Sequence, residues 1–159
     1  MNFDGVHEKT ILIVKPDGVQ RGLVGDVIKR LETKGLKVVG LKMMHLSEET
    51  LREHYAHHTE KPFYAGLEEF MRSCPVVSIC AEGKGAVAAV RLIAGITNAG
   101  EADAGTIRGD LALGFANVVH CSDTLENAKL EVARFFKEEE IFEYDKTDWM
   151  HVYMNDERG

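Results

Sequence analysis

The hydrophobic positions of the chain change period several times, and each change marks an element. Lys9 to Val14 is a short β-branched run that stops at Lys15-Pro16-Asp17-Gly18, which predicts a strand followed by a turn. Val24, Val27, Ile28 and Leu31 then recur at helical spacing, and Gly35 stands where a left-handed residue closes a helix. From Leu36 to Leu46 the apolar residues alternate imperfectly, predicting a long strand. Ser47 caps a further helix with Glu48 and Glu49 in its first turn, and Leu46 is placed to pack on Leu51. A second helical stripe, Phe63, Leu67, Phe70 and Met71, ends at Cys74-Pro75, because the residue before proline leaves helical geometry. Val76 to Ala81 reads as a buried strand and Ala86 to Ala94 as a helix. Ile96 to Gly114 holds four glycines and two aspartates with little periodicity, which predicts a long loop, and such loops are usually functional. The chain closes with a helix from Thr124 to Phe136, an acidic turn from Lys137 to Glu140 and a predicted strand from Trp149 to Met154. The order βαβααβα, then loop, helix and strand, predicts an α+β sandwich with helices on one sheet.

Composition narrows the classes without choosing a function. A length of 159 residues fits one domain, spanning 1–159, able to bury a sizeable core without staples. With 45% apolar and 28% charged residues the chain reads as a soluble protein, and no apolar run nears the ~20 residues needed to span a bilayer. Met1 to Lys9 is polar and lacks the apolar centre of a signal peptide, so a cytoplasmic protein with no membrane partner is expected. Cys74, Cys80 and Cys121 form no C-x-x-C pair, which argues against a disulfide framework and against a cysteine zinc site. A net charge of −7 argues against nucleic acid as a partner. It leaves nucleotides open, because remote carboxylates are screened while arginines inside a cleft are not.

The residues with most chemical promise lie late in the chain. His120 stands between an apolar run and a helix start marked by Ser122, Asp123 and Thr124, with Glu126 three residues after Asp123. The free N–H groups of that helix favour an anion near the imidazole, although a lone histidine beside a helix start is more often structural. Arg91, Thr97 and Arg108 lie in or beside the long loop, and the glycines around Arg108 let backbone and guanidinium approach a phosphate together. The plainer alternative puts Arg91 on a solvated face and pairs Arg108 with Asp110. His54, His57 and His58 have the spacing of metal ligands on one helix, but a solvated polar face is the commoner meaning. Gly83-Lys84-Gly85 mimics a dinucleotide fingerprint whose third glycine is alanine, and no P-loop motif exists. Cys121, at a helix N-terminus, has the position of an activated, oxidant-sensitive thiol. Adjacent side chains on an extended segment point apart, which argues against a Cys121 and His120 pair.

Three ordered motifs, Lys15-Pro16-Asp17-Gly18-Val19-Gln20-Arg21-Gly22, Gly105-Thr106-Ile107-Arg108-Gly109-Asp110 and Asn117-x-x-His120-x-Ser122-Asp123, together resemble the nucleoside diphosphate kinases. His54-Tyr55 and Lys61-Pro62-Phe63-Tyr64-Ala65-Gly66 join them, so the likeness runs from about Lys9 to Trp149. The resemblance implies a ferredoxin-like α/β sandwich, a mainly antiparallel four-stranded sheet covered by helices, assembled into homo-hexamers or homo-tetramers. It implies ping-pong transfer of a γ-phosphoryl group between nucleoside tri- and diphosphates, with Mg²⁺ held mainly by the nucleotide phosphates rather than by protein ligands. By position, His120 corresponds to the nucleophile, Glu131 to the group that orients it, and Ser122 to the nearby hydroxyl. Arg91, Thr97 and Arg108 correspond to phosphate-binding residues. Lys15 and Asn117 contact the sugar and the reacting phosphates, Tyr55 lies near the transferred group, and Phe63 stacks on the base. Stacking is indifferent to base identity because every base has a π-face.

The chain departs from the family pattern in three places. Cys121 replaces a small residue, most often glycine, and is strained if that position needs positive φ. The segment from Arg108 to His120 is one residue short, which unsettles the base-side contact around Leu113 to Phe115. Ala99 and Ala104 stand where prolines are common, which predicts a looser loop by about 0.4–1 kcal/mol per site and weaker oligomer packing or lower stability, not lost chemistry. The alternative reading is a non-catalytic or impaired oligomeric nucleotide-binding protein, one that binds nucleotide without forming a phosphoenzyme.

Overall fold

The computed structural model describes residues 7–157. Its organising element is the strand β1 (His7–Val14), whose residues from Thr10 to Val14 are all buried. A strand covered on both faces reads as an unbroken apolar run, which is why Ile11-Leu12-Ile13-Val14 shows no polar alternation. Ile11 and Ile13 face Leu51, Met71, Val132 and Phe135, whereas Leu12 and Val14 face Val27, Leu31, Val90 and Ile107. Full burial of each such side chain is worth about 1.5–3 kcal/mol.

The helix α1 (Pro16–Gln20) follows at once, then α2 (Val24–Lys34), closed by Gly35 at φ 103°, and β2 (Lys37–Met44). Ser47 caps α3 (Glu48–His54) by accepting from the Thr50 amide, and α4 (Tyr64–Arg72) precedes β3 (Val76–Lys84). The helix α5 (Ala86–Ala94), the short α6 (Ile107–Leu111), the short strand β4 (Val119–Cys121) and α7 (Leu125–Phe135), capped by Thr124, complete the frame. The sheet order is β2-β3-β1-β4, with every pairing antiparallel. This is the expected ferredoxin-like sandwich. The two apolar clusters place α2 and α5 on one face and α3, α4 and α7 on the other. Among the described residues no helix is long and apolar enough to cross a membrane.

Four expectations need correction. Lys15 to Gly18 is not a free turn but the start of α1, where Pro16 sits at a first helical position whose N–H needs no partner. The long loop contains a turn at Ala99–Glu101 and the helix α6, capped by Thr106 accepting from the Gly109 amide; both are too short to show a period. His57 and His58 lie in a separate turn, Ala56–His58, so these two do not share a helix with His54. No strand forms at Trp149. Residues Thr147–His151 and Asn155–Glu157 make 3₁₀ turns, anchored by the buried Trp149 indole, which donates to the Gly35 carbonyl at 2.9 Å.

Candidate active site

Pairing of β4 with β1 sets His120 opposite Ile13, and α7 returns over the same sheet face to bring Glu131 beside the ring. His120 Nε2 lies 3.2 and 3.3 Å from the two oxygens of Glu131, and the Ser122 hydroxyl donates to Glu131 Oε2 at 2.5 Å. Burial pushes the Glu131 carboxyl up. The hydrogen bond and charge of His120, with the Ser122 hydroxyl, outweigh it and hold the group below the usual range. Around this pair opens a cleft of about 370 Å³, lined by all ten residues singled out from the sequence except Ser122. Ser122 is buried behind Glu131.

Cations also line the cleft. Lys15 Nζ donates to Asn117 Oδ1 at 2.5 Å, and the Asn117 amide donates to the Thr97 carbonyl at 2.8 Å. Burial lowers Lys15 to about 8, with Asp17 opposing the shift and Arg108 adding to it. Arg108 is 6% exposed and does not pair with Asp110, which instead binds Arg30 at 2.8 Å and the Gly105 amide. Its guanidinium donates to three backbone carbonyls, Gly95 at 2.8 Å, Asn117 at 3.3 Å and Val119 at 2.6 Å. Arg91, in the last turn of α5, is solvent-exposed as the plainer reading held, yet it also lines the cleft. None of the three cations forms a salt bridge among the described residues.

At the cleft mouth Phe63 is 53% exposed, with the edge of its ring against His58. Tyr55 is half-buried, and burial followed by the nearby Glu131 pushes its phenol up to about 12, so it remains an O–H donor. His54 was not singled out for the site, and the expectation of a solvated face fails for it. It is buried, edge-on to His120 at 4.5 Å, with Nδ1 3.7 Å from Glu131 and accepting from Arg134 at 3.3 Å. Burial, then the charge of His120, lower it to about 3, so the ring is neutral. The available signal was its position three residues after Leu51, on the same buried helix face.

Donor atoms of His54, His120 and Glu131 lie within 4.8 Å of one another. The surroundings do not suit a cation held by that trio, because Arg134 occupies the His54 lone pair and three further cations line the cleft. Hard divalent ions also prefer oxygen ligands. Asp123, which faces the same cleft, is the oxygen donor that fits a metal carried by phosphates.

Cys121 does not carry the strain expected of it. The one non-glycine residue with positive φ among those described is Val118, at 69°. Nor is the thiol activated, because burial pushes it up more than Arg108 and Arg91 lower it. In the shortened segment Leu113 and Phe115 are almost fully exposed and line no part of the cleft.

The family model for nucleoside diphosphate kinase matches residues 8–141. The chain belongs to the nucleoside diphosphate kinase family. It is 48% identical over 151 residues to the nucleoside diphosphate kinase of Parabacteroides distasonis, covering 94% of this chain and 99% of that one. It is 50% identical over 147 residues to that of Archaeoglobus fulgidus, covering 92% and 97%. Among solved structures, a halophilic nucleoside diphosphate kinase from Halobacterium salinarum in complex with CDP superposes with a TM-score of 0.89 at 46% identity, covering 92% of this chain and 99% of that chain. A transition-state mimic of the Borrelia burgdorferi enzyme with bound vanadate and ADP gives 0.85 at 34% identity, covering 92% and 96%. Members of this family are nucleotide phosphotransferases, which disfavours the reading of a purely binding protein.

Proposed function

We propose that the chain moves the γ-phosphoryl group of a nucleoside triphosphate to a nucleoside diphosphate through phosphorylated His120. One observation carries this reading: the imidazole is tethered through Nε2 to Glu131, at a cleft also lined by Lys15, Arg91 and Arg108, none of them in a salt bridge among the described residues. With the proton of a neutral imidazole on Nε2 and donated to Glu131, the lone pair is on Nδ1. Nδ1 attacks the γ-phosphorus in line, the bond from phosphorus to the bridging oxygen breaks, and the nucleoside diphosphate leaves with that electron pair. The ring becomes cationic, and Glu131 stabilises it. Arg108, Arg91, Lys15 and Thr97 bind the phosphates, Tyr55 and Asn117 border the transferred group, and Phe63 stacks on the base. Transfer of this kind needs mainly positioning and charge neutralisation. A single cleft, with His120 as its phosphorylated group, serves donor and acceptor in turn, which supports the ping-pong order.

Mg²⁺ fits this cleft as a companion of the phosphates, with Asp123 as the protein carboxylate beside it, where it neutralises polyphosphate charge. The edge strand β2 exposes Leu41 and Met43, and α5 exposes Leu92. Together with the family resemblance they support a homo-hexamer or homo-tetramer, to be measured by light scattering, in the cytoplasm. The chemistry is tested by incubation with γ-labelled ATP and Mg²⁺, then a chase with GDP, on wild type and His120→Ala. Acid-labile label that passes to GTP and is missing from the variant is the expected result. Nucleotide binding without label on the wild type overturns it.

A further inference from the structure

Asn117 and His120 are three residues apart, and in a regular strand such residues point to opposite faces. Both nevertheless serve the same cleft. The break in alternation is at Val118. Its φ is 69°, and the Val119 amide bonds back to the Asn117 carbonyl at 2.8 Å, two residues earlier. That pair of features defines a γ-turn of the left-handed kind, which is rare and strained. For a β-branched residue the conformation is a genuine outlier, and it persists only where the surroundings impose it.

The surroundings are the motif Lys15-Pro16-Asp17-Gly18, of which only Lys15 has a part in the transfer chemistry above. Asp17 Oδ2 accepts from the Val118 amide at 2.9 Å, and the Lys15 amide donates to the Val118 carbonyl at 2.8 Å. Gly18 lets the two segments touch, since a Cβ there would stand 3.1 Å from Val118 Cγ1 and 3.2 Å from its carbonyl oxygen. From the other side Arg108 donates to the carbonyls of Asn117 and Val119. The second oxygen of Asp17 is buried with no hydrogen-bond partner, a desolvation cost that ending a strand does not require.

We propose that Asp17 is a positioning residue whose carboxylate imposes the left-handed turn at Val118, so that Asn117 and His120 are presented together to the nucleotide. The catalytic part of this inference rests on His120 as the phosphorylated group; the conformational part does not.

The test measures single-turnover phosphorylation by Mg²⁺-ATP, ADP affinity and urea unfolding for Asp17→Ala, in the native background and in Val118→Gly. Asp17→Ala is expected to slow transfer about tenfold to a hundredfold, in line with a reacting group displaced by about 1 Å, and to change ADP affinity less. Glycine adopts positive φ freely, so in the Val118→Gly background the same substitution is expected to slow transfer by less than about threefold. Asp17→Asn keeps an acceptor for the Val118 amide and recovers most of the rate, which separates the clamp from the charge that Asp17 lends Lys15. Equal slowing in both backgrounds, or no slowing in either, overturns the proposal. A crystal structure of Asp17→Ala, or of Asp17→Asn if the first does not fold, reads the turn without turnover. Negative φ at Val118 in the alanine variant supports the clamp, as does retained positive φ in the asparagine variant; the reverse in either overturns it. If the wild type acquires no label, the phosphohistidine reading fails, and the φ of Val118 still decides the role of Asp17.

Discussion

Replacing Arg108 with methionine keeps an unbranched stem of similar volume and removes every donor. The carbonyls of Gly95, Asn117 and Val119 then lose the bonds they accept at 2.6–3.3 Å. A buried acceptor left unsatisfied costs about 1–3 kcal/mol; the Asn117 carbonyl keeps the Val119 amide, so the other two sum to roughly 2–6 kcal/mol before relaxation. Water entering from the adjoining cleft restores part of this, and the expected loss is about 2–4 kcal/mol, against a total stability of about 5–15 kcal/mol for a typical domain. At this size each kcal/mol shifts the midpoint by about 2–4 °C, giving a fall of roughly 4–16 °C. Scanning calorimetry in a non-phosphate buffer measures it. The same experiment with added ADP tests the second role of the side chain. Ligand at a hundred times its Kd stabilises the wild type by about 2.7 kcal/mol, and Arg108→Met should show little of that gain at the same ADP concentration. A midpoint within 2 °C of wild type would show that the guanidinium is not the brace of the Asn117–Val119 turn, and an undiminished response to ADP would remove it from the phosphate site.

Peroxide should leave phosphoryl transfer unchanged within about twofold, because the Cys121 thiol is buried and pushed up rather than activated; rapid loss that thiol reagents reverse would refute this. Cys121→Gly should likewise change activity less than threefold, since the strained φ is at Val118; a gain of a hundredfold would contradict it. Lys15, lowered to about 8, loses its charge as pH rises through that value, so the nucleotide KM should climb above pH 8 and Lys15→Arg should abolish the climb. The stability effect has the opposite sense: the unfolded lysine keeps its proton longer, so the penalty of burying this ammonium fades between about pH 8 and the ordinary lysine range. Glu131→Gln should lower kcat by about a hundredfold or more while ADP affinity holds, as when a carboxylate that fixes a histidine tautomer is lost; kcat within threefold of wild type would sink the tethering role.

What the sequence made legible is what depends on near neighbours. The stripe of Val24, Val27, Ile28 and Leu31, the Ser47 cap and the Ala86 to Ala94 helix are each decided within about two turns, and the structure has all three. The misreadings share a cause. Whether an aromatic run such as Trp149 to Met154 pairs as a strand depends on a distant edge, and here one indole reaching Gly35 settled it otherwise. His54 looked like a solvated residue because its neighbours Arg52, Glu53 and His57 are exposed, and its burial comes from Phe135 and His120 much later in the chain. The motifs located the cleft but not its stress. Nothing in Asn117-Val118-Val119-His120 marks Val118 as left-handed, since the residues that force it, Asp17 and Gly18, lie about a hundred positions earlier.

The distribution of charge pairing explains how a chain of net charge −7 can attract polyphosphate. Several cations elsewhere are matched: Glu82 holds Lys9 and Lys37, Asp110 holds Arg30, and Glu140 holds Lys42. In the cleft the pattern inverts. Lys15 and Arg108 are removed from bulk water yet given only neutral oxygens, and the one buried carboxylate there is committed to His120 and Ser122. Desolvated cations without partners raise the free energy of the folded chain, and an entering anion relieves it. The acidic exterior is screened beyond about 8 Å in physiological salt, so it repels long nucleic acids more than a single nucleotide that has entered the cleft. Leaving three cations without salt bridges in one cleft thus favours an entering polyphosphate despite the acidic exterior.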